Sequence, residues 1–148
     1  MNTKITIFTL LSVLIISSCS SSNNDEPDTT TQATLVNKWI LSAWKKNNVT
    51  QTLTSCDKQG YIQFNINGTF ERKDYYLNSG NCQLEGNDNG TYNYNSTTHK
   101  ITLTFTDPTE GTQTEVLNNV ELATTKLTYT WDEDQNGTDE RHLEYTKN

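Results

Sequence analysis

The sequence predicts an all-β fold, an eight-stranded antiparallel up-and-down barrel that follows a signal peptide and a disordered tether. Three observations predict it. Short runs of β-branched and aromatic residues alternate with polar residues from position 38 to position 146, as they do in half-buried strands. Turn residues such as Asn67–Gly68 separate these runs at short intervals. Pro, which interrupts sheets, occurs twice in 148 residues.

Eight runs have the alternation of strands, at 38–46, 60–66, 69–77, 90–95, 100–106, 112–122, 126–131 and 139–146. In the first run, Trp39, Leu41 and Ala43 share one face. In the second, Ile66 shares a face with its apolar predecessors and is followed by Asn67–Gly68, which predicts a two-residue type I′ turn. A loop is predicted between the third and fourth runs.

The connections are short, which favours an antiparallel meander. Closing the meander into a barrel removes the exposed strand edges that invite aggregation. The interior of an eight-stranded barrel is either filled by side chains or holds one small ligand. A β-sandwich is the second candidate fold, but the chain has no long Greek-key connection.

The first 18 residues have the parts of a secretory signal peptide, with Lys4 in the positive region and an apolar run over 5–16. That run is shorter than the roughly 20 residues of a membrane-spanning helix. Ile16–Cys19 resembles the lipobox of bacterial lipoproteins. The resemblance implies that Cys19 carries fatty acyl chains such as palmitate, which together would anchor the protein to a membrane. The alternative is an ordinary signal peptide followed by a chance Cys.

The chain contains three Cys. If Cys19 carries lipid, Cys56 and Cys82 remain as a pair in an oxidising compartment, where disulfides persist. Such a disulfide stabilises the fold by roughly 3 kcal/mol in the chain-entropy model. A metal site is the alternative, although neither Cys-x-x-Cys nor His-x-x-x-His spacing occurs.

Residues 19–34 contain almost no apolar side chains after the Cys, so we expect a flexible linker. The remaining residues, 35–148, are the length of one domain. The net charge of the whole chain is −7. This acidity disfavours a nucleic-acid partner, because phosphates require clusters of Lys and Arg.

Several stretches of the domain fit one known pattern, namely Val36–Trp39, Cys56, Gln63–Phe70, Cys82, Gly90–Tyr92, Ile101–Thr104 and Val120–Leu122 leading to Leu127. Together they resemble the lipocalin-like domain of bacterial lipoproteins. The resemblance implies a lipocalin-type barrel. Asn37 replaces the usual Gly two residues before the first-strand Trp. Arg141 is the candidate for the Arg that packs on that Trp in lipocalins.

Aromatic residues of the strands are candidates to line a ligand cavity, namely Trp39, Phe64, Tyr92, Tyr94, Phe105, Tyr129 and Trp131. The alternative is that they fill the core, since a short domain needs them for stability.

The stretch from Asp132 to Glu140 resembles the first half of a calcium loop, with Asp132, Asp134 and Asn136 as candidate ligands. The position of the bidentate Glu in an EF-hand is occupied by Leu143, so this is no EF-hand. A hairpin turn with solvated acids is the alternative. His99 and His142 are interpreted as surface residues, because no triad or phosphate loop accompanies them.

We therefore expect a lipoprotein of the outer membrane, on either the periplasmic or the cell-surface side, whose barrel binds a small apolar or amphipathic ligand. The alternative function is a filled barrel that docks onto another envelope protein. Neither an enzymatic activity nor a cofactor is expected.

Overall fold

The computed structural model describes residues 35–148, so the predicted leader, Cys19 and the linker lie outside the described residues. The strands are β1 (Lys38–Lys46), β2 (Val49–Thr50), β3 (Tyr61–Phe64), β4 (Thr69–Asn78), β5 (Asn81–Asn95), β6 (Lys100–Asp107), β7 (Gly111–Leu122), β8 (Lys126–Trp131) and β9 (Arg141–Lys147). A short 3-10 helix covers Asp57–Gln59.

The sheet closes on itself as an eight-stranded antiparallel barrel. From β3 to β9 every strand pairs with its successor in the chain. Strand β1 pairs with β3 on one side and with β9 on the other, so it completes the ring. The two-residue β2 pairs only with the last two residues of β1 and is not part of the ring. The predicted meander and its closure are therefore confirmed.

The region predicted as a loop around Cys82 and Gly86 is instead strand. β5 starts at Asn81 and pairs with β4 along its whole length up to Thr91, with one register shift after Asp74. The prediction was wrong because the Gly, Asn and acidic residues of this stretch have low strand propensity. Pairing with β4 overrides that propensity.

A β-bulge changes which residues of β1 face the interior. The register with β9 shifts between Leu41 and Ala43, so Ser42 is the extra residue. As a result Trp44, and not Ala43, joins Trp39 and Leu41 in contact with the core. The predicted placement of Ala43 was wrong because strict alternation cannot anticipate a bulge.

The turn between β3 and β4 is longer than the predicted two-residue turn. Gly68 donates to the carbonyl of Asn65 at 3.1 Å, and the N–H of Asn65 bonds the carbonyl of Thr69 at 2.8 Å. Gly68 has a φ of 80°, which suits a residue without Cβ. Ile66 lies in this turn with 88% of its side chain exposed, so it does not share the buried face of β3.

The core fills the end of the barrel where the chain enters β1. Trp39 and Leu35 are fully buried there, and the Trp39 indole N–H donates to the carbonyl of Leu35 at 2.8 Å. Phe64 meets the ring of Tyr92 edge-on at 4.9 Å between centroids. Such aromatic pairs add to the stability gained from burial.

The Cys56–Cys82 disulfide is present, as the sequence predicts. It joins Cys56, just before the 3-10 helix, to the hairpin of β4 and β5, so it ties the segment between β2 and β3 to that hairpin. Among residues 35–148, no helix is long and apolar enough to cross a bilayer.

Candidate ligand cavity

A cavity of about 460 Å³ lies inside the barrel, at the end opposite Leu35. Its walls include Leu41, Trp44, Trp131 and Leu143, from the part of the barrel where β1 and β8 end and β9 begins. Exposed Glu85 of β5 also lines it, so the cavity communicates with solvent. Its volume is typical of small-molecule sites, which measure roughly 300–1,000 Å³.

An ion-pair network is centred on Arg72, one of the residues that line the cavity. The Arg72 guanidinium binds Glu115 with two hydrogen bonds, of 2.7 and 2.9 Å. It also binds Asp88 with hydrogen bonds of 3.0 and 2.7 Å. Burial by itself would lower the pKa of Arg72, but the bonds to Glu115 raise it well above its ordinary value. Arg72 is therefore a fixed cation whose charge is matched by two carboxylates.

Asp74 is a third carboxylate beside the same guanidinium, but it is not hydrogen-bonded to it. Its nearest oxygen is 3.8 Å from Nε of Arg72. Its side chain is 44% exposed and lines the cavity. Burial raises the pKa of Asp74, and the negative charges of Asp88 and Glu85 add to this effect, whereas Arg72 opposes it. Among residues 35–148, neither Asp74 nor Glu85 accepts a hydrogen bond through its carboxylate, and Asp74 is the less exposed of these two acids.

Two tyrosines whose hydroxyl groups contact each other also line the cavity. Tyr129 and Tyr145 stack with centroids 5.5 Å apart, and their hydroxyl oxygens are 2.9 Å apart. Both are buried. Burial raises the pKa of each phenol, so both hydroxyls stay protonated and neutral near pH 7.

The mouth of the cavity holds a second arginine between two indoles. The Arg141 guanidinium carbon is 5.2 Å from the ring centroids of both Trp44 and Trp131. Nε of Arg141 donates to Glu133 at 2.9 Å, and Nη2 also pairs with that carboxylate. These bonds, together with one from Lys46, lower the pKa of Glu133 to about 2. Arg141 therefore packs on Trp44 and Trp131, and not on Trp39 as the resemblance implied.

The structure divides the aromatic residues that were predicted to line a cavity. Tyr129 and Trp131 line it. The others belong to the core or pack against it, namely Trp39, Phe64, Tyr92, Tyr94 and Phe105. Each of the two alternatives, core and cavity, therefore holds for part of this set, and Tyr129 belongs to both.

The charged residues of the cavity were not predicted, although the sequence contains a signal for them. Arg72 and Asp74 have the same parity as Phe70 in β4, and Glu115 has the same parity as Leu117 in β7. Because alternate residues of a strand face the same side, these charges had to point inward with their apolar neighbours.

The acidic loop between β8 and β9 brings together two of the three predicted calcium ligands, Asp132 and Asp134, with Glu140 as a further acid. Carboxylate oxygens of Asp132, Asp134 and Glu140 lie within 4.8 Å of one another. Asp132 accepts N–H bonds from Asn136 and Gly137, at 3.1 and 2.7 Å. The side-chain oxygen of Asn136 accepts from the Thr138 N–H. Backbone amides of the loop thus bind these oxygens, and calcium binding stays a prediction.

The two histidines lie away from the cavity wall. Nδ1 of His99 is 3.2 Å from the carbonyl oxygen of Val120. Nε2 of His142 is 3.7 Å from Glu144, with 39% of the side chain exposed.

The closed antiparallel topology of the eight strands defines the class of this protein, a small up-and-down β-barrel. The lipocalin-like domain family matches residues 35–129, and the chain belongs to this family. No curated protein matches the chain.

A crystal structure of a lipocalin-like protein from Bacteroides uniformis ATCC 8492 has a similar fold. It superimposes with a TM-score of 0.52 and 16% sequence identity, over 78% of this chain and 99% of the other. At this identity the likeness supports the barrel fold alone.

Proposed function

We propose that this protein is a lipid-anchored binding protein of the outer membrane whose barrel holds a small amphipathic ligand. The observation that carries this proposal is the cavity of about 460 Å³, which combines indole and leucine walls with charged groups. Ligand sites of proteins have this composition, mostly apolar with a few polar groups that orient the ligand. A filled barrel with a purely docking role would not need such a space.

The binding role is tested by titration of a soluble chain that starts at Ser20. This chain retains every described residue, including the closing pair of β1 and β9. The probes are octylammonium, 1-octanol and octyl sulfate, which share a tail and differ in head-group charge. We expect saturable heat in calorimetry and a change in emission from Trp44 and Trp131. If none of the three probes binds, the proposed binding role is wrong.

The anchor rests on the Ile16–Cys19 stretch of the sequence. Expression of the full chain in a bacterial host should incorporate labelled palmitate and place the protein in the membrane fraction. Cys19→Ser should abolish both, because the thiol is the site of acylation. Retention of label in the Cys19→Ser variant would overturn the anchor.

A further inference from the structure

The charges of the cavity indicate which kind of ligand it selects. Five charged residues line it, three acidic and two basic, namely Asp57, Arg72, Asp74, Glu85 and Arg141. Both arginines already bind carboxylates through their N–H groups, Arg72 to Asp88 and Glu115 and Arg141 to Glu133. The charge left without a partner is therefore negative.

Asp74 is the carboxylate best placed to receive a ligand. Within residues 35–148, no N–H or O–H donates a hydrogen bond to it, and its contact with Arg72 is 3.8 Å long. Asp57, by contrast, accepts a bond of 2.6 Å from the N–H of Thr54. Gly86, which also lines the cavity, lies next to Asp74, since a Cβ on Gly86 would be 3.5 Å from Oδ2 of that carboxylate.

An anionic ligand would fit this cavity poorly. It would have to separate Arg72 from Glu115 or Asp88, or Arg141 from Glu133. It would also face Asp74 and Glu85, whose like charges would repel it. A cation would have to separate none of these pairs. It would face Arg72 and Arg141, but carboxylates already bind both guanidinium groups, and it would compensate Asp74, whose ionised form burial disfavours.

A cation–π contact already exists in the wall of the cavity. The guanidinium of Arg141 lies over the rings of Trp44 and Trp131, each at 5.2 Å. Indole faces attract cations, and the same walls offer apolar surface for a tail. We propose that the cavity selects amphipathic organic cations, with the ammonium group at Asp74 and the apolar part against Leu41, Leu143 and Trp131.

This inference rests on the proposed binding role, and the three octyl probes separate the two. We expect octylammonium to bind about tenfold more tightly than 1-octanol, since a charge pair in a partly desolvated site is worth at least that much. Octyl sulfate should bind more weakly than 1-octanol. Equal affinity for all three probes, or a preference for octyl sulfate, would overturn the cation selectivity and leave the binding role intact.

The variant Asp74→Asn provides the second readout. It keeps the shape of the side chain and removes its charge, so the affinity for octylammonium should fall about tenfold, to the level of 1-octanol. Binding of 1-octanol should not change. The matched control is Asp107→Asn, at the last residue of β6 and outside the cavity, where the amide oxygen can still accept the N–H of Thr109. If both variants keep the wild-type preference for octylammonium, Asp74 is not the binding group.

Discussion

Arg72 balances the buried negative charge of the barrel. Its side chain is 12% exposed, and Glu115, its main partner, is 10% exposed. We expect Arg72→Met to lower the free energy of unfolding by about 3–5 kcal/mol, because it leaves two carboxylates without their cation. Urea denaturation measures this loss.

Two further variants separate charge from packing at this position. Arg72→Lys keeps the charge but cannot make the forked contacts with Glu115 and Asp88. Its stability should therefore lie between that of the wild type and that of Arg72→Met. In the double variant Arg72→Met with Glu115→Leu, part of the stability should return, since one uncompensated charge is gone. A loss below about 1 kcal/mol in Arg72→Met would contradict the role assigned to the network.

Asp74 should lower the stability of the fold as the pH rises, whereas a carboxylate in an ordinary ion pair raises it. Its pKa is raised in the folded state by burial, with Glu85 and Asp88 of β5 and Glu115 of β7 adding repulsion and Arg72 of β4 opposing it. The folded protein therefore holds more protons than the unfolded chain between pH 3.8 and the raised pKa. The contribution of Asp74 to stability then falls as the pH rises through that window.

We therefore expect Asp74→Asn to have a higher melting temperature than the wild type at pH 7. The difference should shrink as the pH is lowered toward 3.8, the ordinary pKa of an Asp carboxyl. Melting curves of both proteins from pH 3.5 to pH 7 measure it. A lower melting temperature of Asp74→Asn at pH 7 would show that the contact with Arg72 outweighs burial. If Asp74→Asn is more stable than the wild type, a loss of octylammonium binding in this variant is not caused by unfolding.

At the scale of single strands, Gly90 allows β5 to pack closely against β6. A Cβ built at this residue would lie 2.0 Å from the carbonyl oxygen of Thr104, which belongs to the neighbouring backbone. Since a backbone atom cannot swing aside, Gly90→Ala should cost about 1–3 kcal/mol or more.

The control for Gly90→Ala lies on the same strand. At Gly86 the nearest atom to a new Cβ is Oδ2 of Asp74, at 3.5 Å, which is an ordinary contact. Gly86→Ala should therefore change the urea midpoint little, whereas Gly90→Ala should lower it clearly. Equal midpoints for the two variants would mean that β6 moves away at little cost.

Strand patterning predicted the elements well and their irregularities poorly. Alternation identified the cores of all eight barrel strands, because each has one face in the interior. It could not identify the bulge at Ser42, which turns Trp44 inward. Nor could it extend β5 back to Asn81, where polar residues and Gly86 pair only because β4 lies beside them.

At the scale of the whole molecule, the sequence predicted closure of the barrel but not the division of its interior. One end is packed by aromatic rings around Trp39, and the other is left open beside Arg72. Composition cannot make that distinction, because Tyr129 and Trp131 look like core residues in the sequence. The charged residues Arg72 and Asp74, which line the cavity, can be predicted to point inward only when strand parity is applied to polar residues as well.

The two-ended interior makes a last prediction about the whole barrel. Gly86 lines the cavity and has space beside it, so the ring of Gly86→Phe should enter the cavity. Because the ring enters open space but must pass Asp74, the free energy of unfolding should fall by no more than the roughly 1–3 kcal/mol of small-to-large substitutions in a packed core. Calorimetry should show no binding of 1-octanol or octylammonium to Gly86→Phe, while Gly86→Ala still binds both. A folded Gly86→Phe protein with wild-type affinity would place the binding site elsewhere on the barrel.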